Sequence, residues 1–176
     1  MRRLFYLFGL LLLMSFAISA TAGELKYERY VNVRFAFGIS YPSGVLIPQG
    51  EADNGDGQEF LSKDGKTIML AYGYNNPENY TLKSVFRDEV VDRKEDSPRR
   101  AVMYRVSKKN WFVVSGIDNG KVFYTKVIYK EDKDQFINFR ITYPNSQREF
   151  YDPVVSAISD SMKVLPGPYI KGKRER

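Results

Sequence analysis

Trp111-Phe112-Val113-Val114-Ser115-Gly116, a turn at Asp118-Asn119-Gly120, then Lys121 to Lys130 and Gln135 to Tyr143: this stretch decides the fold. Three runs rich in Val, Ile, Phe and Tyr follow one another with only short polar breaks, the pattern of consecutive strands. Asn-Gly between two such runs selects a two-residue hairpin turn. In the last run Ile137, Phe139, Ile141 and Tyr143 alternate with Asn138, Arg140 and Thr142, which predicts one buried and one wet face. Connections this short force neighbouring strands to run antiparallel.

Upstream, Ala101 to Val106 adds a strand, and Asp64-Gly65 between Gln58–Lys63 and Lys66–Tyr74 predicts a second hairpin, with Ile68, Leu70, Tyr72 and Tyr74 sharing a face. Between these units the period changes. Leu82, Val85, Phe86, Glu89 and Val90 recur at helical spacing, so 81–95 reads as one amphipathic helix with Thr81 as N-cap, ended before Pro98. Nearer the start, Tyr30 to Phe35 and Phe37 to Tyr41 alternate like strands, the first with Val31, Val33 and Phe35 on one face. Residues 23–30 read as a frayed start, and 42–57, with prolines, glycines and acids, as a long loop. Downstream, Ser146-Gln147-Arg148-Glu149 reads as a capping box and Asp152-Pro153 as a helix start, with Val154, Val155, Ile158 and Met162 as the buried stripe. The expected fold class is α+β: a central antiparallel β-sheet flanked by helices, an α/β/α sandwich.

The chain has 176 residues, enough for one ordinary domain, and contains neither Cys nor His. Ser-His-Asp and Cys-His catalysis, thiolate or histidine metal sites and disulfides are therefore closed to it. Residues 1–22 read as a secretory signal peptide: Arg2 and Arg3, an apolar run from Leu4 to Ala17, and Ala20-Thr21-Ala22 as the small-x-small cleavage pattern. Cleavage after Ala22 would place the protein in the periplasm or medium, with no transmembrane span left. It also lowers the formal net charge from +6 to +4, since both arginines leave. Residues 23–166 then form a single domain, and 167–176, with Lys171, Lys173, Arg174 and Arg176, a basic disordered tail.

The string Tyr30-x-Asn32-x-Arg34-Phe35-x-Phe37-Gly38-Ile39-Ser40-Tyr41-Pro42 resembles the opening of PsbP-like domains. Asn54-Gly55-Asp56-Gly57, Trp111 to Gly116 and Arg140-Ile141-Thr142-Tyr143-Pro144 are similar to a group of uncharacterised bacterial exported proteins. The resemblance implies the sandwich just described, and it implies a binding or assembly factor with no catalytic residue. It carries over no photosynthetic role, because no manganese- or calcium-linked motif matches.

Oxygen ligands cluster only at Glu51-Ala52-Asp53-Asn54-Gly55-Asp56-Gly57. An EF-hand register fails there: with Gly57 at position six, positions one and twelve are Ala52 and Lys63. A tight turn explains Asp53, Asn54 and Asp56 without a metal. Ser115-Gly116 lacks the nucleophile-elbow pattern, and no phosphate loop is present. Acid pairs such as Glu131-Asp132 read as solvated faces rather than a glycosidase pair. Cations at Arg99, Arg100, Lys108 and Lys109, with Tyr104 and Trp111 near them, are candidate contacts for an anionic or protein surface. The reading is a non-enzymatic exported binding or accessory protein without cofactor, meeting a protein or other component of the cell envelope and no nucleic acid. Two alternatives stand beside it: an immunity or inhibitor protein against a periplasmic hydrolase, and a calcium-dependent factor or hydrolase centred on residues 51–57.

Overall fold

A computed structural model describes residues 25–92 and 99–167. The segment 1–22 and the tail from residue 168 onward lie outside the described residues. Seven strands form one wholly antiparallel sheet: β3 (Leu46–Glu51), β4 (Gly57–Ser62), β5 (Ile68–Asn75), β6 (Ala101–Ser107), β7 (Trp111–Asp118), β8 (Lys121–Lys130) and β9 (Gln135–Pro144), in spatial order β3-β4-β5-β9-β8-β7-β6. The deciding stretch thus supplies the inner strands. Asn119 and Gly120 both take positive φ, 48° and 80°, as a two-residue turn matched to strand twist requires. A second sheet holds β1 (Tyr27–Asn32), β2 (Phe37–Pro42) and β10 (Lys163–Val164), in order β1-β2-β10.

Two apolar clusters lie on opposite faces of the large sheet, because alternate residues of β9 enter different ones. Ile137, Phe139, Ile141 and Tyr143 join Phe35, Phe37, Ile39 and the Val154, Val155, Ile158 and Met162 stripe of α2 (Arg148–Ser161). Phe136 joins Phe112, Val114, Phe123 and Val127 beneath Leu82 of α1 (Leu82–Glu89). Each face therefore carries one helix, but unequally. The α2 face is closed largely by β2, so the molecule is a mostly antiparallel β-structure with two helices rather than an even sandwich.

Several expectations are corrected by packing. The face of β9 carrying Asn138 is not wet: Asn138 is 1% exposed and Phe136 is fully buried, because α1 covers that side. On β5, Ile68, Leu70, Tyr72 and Tyr74 do share a face as expected, but it is the half-buried one; Met69, Ala71 and Gly73 are buried on the other. The more apolar side of the strand faces the thinner cover. Residues 42–57 contain a strand, β3, paired with β4. β1 begins at Tyr27 and ends at Asn32; Val33 is 47% exposed in a turn, so Val31, Val33 and Phe35 share no face.

α1 starts as expected, Thr81 and Ser84 exchanging side-chain-to-backbone hydrogen bonds, and its helical residues end at Glu89. α2 follows a short 3-10 turn with no side-chain cap, so Ser146 to Glu149 form no capping box. Asp152 and Pro153 lie inside α2, where Asp152 accepts hydrogen bonds from Tyr143 Oη (2.6 Å) and Arg148 Nε (3.0 Å).

Gly73 is where the small sheet meets the large one. A Cβ there would lie 2.4 Å from Phe35 Cγ, so the ring rests on bare backbone. Gly73→Ala should destabilise the fold by about 1–3 kcal/mol by overpacking. Chemical denaturation checks this, and the loss should shrink when Phe35 is also shortened to Leu.

Candidate functional site

Asn32 is fully buried at the end of β1. Its Oδ1 accepts from the Phe35 amide (2.8 Å), which closes the β1–β2 turn. Its Nδ2 donates to Glu51 Oε1 (2.8 Å), the Gly55 carbonyl (2.9 Å) and Tyr30 Oη (3.1 Å). Tyr30 in turn donates to Glu51 at 2.9 Å, and burial first, then that carboxylate, pushes its phenol pKa well up. The acidic loop is consequently a hairpin turn pinned from below. Asp56 pairs with Arg34 at 2.7 Å and accepts from Asn54 Nδ2 at 2.6 Å, while Arg34 also donates to the Asn54 carbonyl. Asp53 stands exposed. Among the described residues no group of three or more acidic side chains is placed to hold a metal ion.

The candidate cations divide between two places. Arg100 is 8% exposed and belongs to the interior: it donates to the Glu89 carbonyl (2.9 Å), pairs with the Glu89 carboxylate (3.5 Å) and lies 3.6 Å from the Phe123 ring centroid. Burial lowers its pKa and Glu89 opposes the shift. Glu89 also pairs with Arg140. Sequence reading missed this triad, although a carboxylate inside the apolar stripe of α1 was its visible mark. Arg99 is exposed at the start of β6, whereas Lys108 and Lys109 are exposed at the β6–β7 tip. A strand of this length separates the two ends by roughly 25 Å. They form no single patch.

The structure puts Tyr104 and Trp111 on one face of the sheet, about 13 Å apart along the ribbon. The register pairs Tyr104 with Ser115, Val106 with Val113 and Trp111 with Ile128, so all of these point to the α2 side of the sheet. A bulge between Val102 and Tyr104 displaces Met103, and Asp92 Oδ1 accepts the Val102 amide at 2.6 Å. Met103 and Tyr104 are 64% and 57% exposed, more than any other large apolar side chains among the described residues. Lys126 ties this surface to α2: its Nζ donates to the Ser159 carbonyl (2.6 Å) and sits 5.7 Å from the Trp111 ring centroid. Burial lowers the Lys126 pKa, with Asp160 opposing. Lys108 and Lys109 add a cationic rim at the ribbon tip, whereas Arg105, opposite Val114, points to the α1 side.

As a whole the fold superposes on solved structures. The solution structure of cyanobacterial PsbP from Synechocystis sp. PCC 6803 superposes with a TM-score of 0.60 at 12% identity, covering 82% of this chain and 96% of that one. The fold is PsbP-like. The Ran-binding protein Mog1p of Saccharomyces cerevisiae gives 0.55 at 11% identity over 80% of this chain and 96% of its own. No protein-family model and no curated protein sequence matches the chain.

Removing the Glu89 charge would leave Arg100 buried without its carboxylate. Glu89→Gln should cost about 3–5 kcal/mol. Arg140→Gln, at a side chain 41% exposed, should cost much less. Urea unfolding of both variants checks the ratio.

Proposed function

We propose that the protein is a non-enzymatic, exported binding or accessory protein that recognises a protein partner in the cell envelope through its β6–β7 ribbon. One observation carries this reading: Met103 and Tyr104 stand exposed at a bulge of the edge strand, with Trp111 further along the Tyr104 face and a rim of Lys108 and Lys109 at the ribbon tip. Aromatic residues, Met and Arg are enriched at the energetic centres of interfaces. The bulge and the Asp92 contact obstruct indiscriminate strand addition at this edge, which leaves the side-chain surface as the recognition element. The rim commits the partner to an acidic complement, which steers association and makes it salt-dependent.

A fold shared with a Ran-binding protein is consistent with a scaffold used for binding, and the absence of Cys and His removes the commonest nucleophile and base pairs. Export rests on the pattern of residues 1–22.

Retention of envelope proteins by the immobilised protein tests the reading when compared between wild type and Met103→Ser/Tyr104→Ser. The double variant should lose a wild-type partner by about 30-fold or more in affinity, the scale of a hot spot. Val33→Ser, at a distant exposed position, should lose nothing. Equal retention by all three proteins would defeat the assignment.

A further inference from the structure

A second site lies away from the ribbon. The β1–β2 turn, the β8–β9 turn and the segment after β10 enclose a cleft of about 550 Å³ lined by Arg34, Lys130, Asp132, Lys133 and the stretch from Val164 to Gly167. That volume is within the range of small-ligand sites. Its walls are fixed. The Leu165 amide donates to the Ala36 carbonyl at 2.8 Å, and Lys130 Nζ donates to the Phe35 carbonyl at 2.9 Å.

The charge in the cleft is unbalanced. Arg34 is matched by Asp56, but no ion pair among the described residues joins Lys130 or Lys133 to a carboxylate. Asp132 is the sole acid lining the cleft. An ammonium carries three donors, and the structure gives Lys130 one acceptor. Burial, and after it Lys133, works against its charge while Asp132 offsets part of that, so an incoming anion would recover the remainder.

We infer that this cleft is a binding site for a phosphate-type anion, gripped by Lys130 and Lys133 with Arg34 at its edge. The anion could be free or carried on a lipid headgroup, since both present the same acceptor oxygens to charge-assisted donors.

The test is titration of the protein with inorganic phosphate at constant ionic strength, against chloride, followed through backbone amide resonances. Saturable shifts centred on Ala36, Lys133, Gln135 and Gly167 are expected. Lys130→Gln and Lys133→Gln should each weaken binding by about tenfold. Lys133→Gln lies on an exposed turn and guards against a folding defect in the first variant. Lys63→Gln, exposed at the far end of the sheet, should bind like wild type. Co-sedimentation with phosphatidylglycerol rather than phosphatidylcholine vesicles, relieved by phosphate, would identify the lipid as the source; phosphate binding without vesicle binding would identify a free anion. Shifts spread evenly over all surface lysines, or binding unchanged in both cleft variants, would overturn the inference.

Discussion

One buried amide organises much of this molecule. Asn32 has no exposed surface, and it uses its carbonyl oxygen to close the β1–β2 turn and its amide nitrogen to hold the 51–57 loop. Most buried polar groups have their hydrogen bonds made, and for Asn32 the partners come from both sheets. Closing the turn directs Phe35 onto Gly73 of the central region and turns Arg34 toward Asp56. The same turn exposes the Phe35 and Ala36 carbonyls to Lys130 and Leu165, which shapes the cationic cleft. In a chain without disulfides, such a contact adds register to a core that is otherwise apolar and non-directional.

The two faces of the large sheet are built on different principles. Beneath α2 and β2 the core is almost wholly apolar, with Phe37, Ile39, Phe139 and Ile158 fully buried. Beneath α1 it includes Glu89, Arg100, Asn138 and Thr125 among the buried polar residues. A helix of eight residues cannot cover a seven-stranded sheet, so polar side chains and half-exposed rings finish that side. The ribbon at β6 is the outer consequence: the strand order leaves it at one sheet edge, and Met103 and Tyr104 stand exposed there.

The fold was legible wherever one local rule sufficed. Asp64-Gly65 and Asn119-Gly120 announced their hairpins through backbone chemistry, and Thr81 announced α1 through its cap. The Val154 to Met162 stripe was legible because α2 buries one face against a single surface. Elsewhere tertiary contacts overrode local pattern. Asn32 ended β1 early by a hydrogen bond three residues on, which alternation alone does not encode. The shared face on β5 was legible, but the wet face expected on β9 was not, because both sides of that strand are covered. Of the candidate site, Tyr104 and Trp111 were legible as exposed or half-exposed aromatics on neighbouring strands. Arg100 was not, because its partner Glu89 is eleven residues away and its burial depends on Phe123. Lys130 was hidden in the same way, behind a carbonyl 95 residues distant.

The central claim is that Asn32 couples the β1–β2 turn to the 51–57 loop. Amide hydrogen exchange in Asn32→Ala tests it most directly. The account predicts that protection falls together at Phe35, at Gly55, whose amide bonds the Ala52 carbonyl, and at Gly73, whose amide bonds the Asp56 carbonyl. Loss confined to Phe35, with Gly55 and Gly73 as protected as in the wild type, would contradict it.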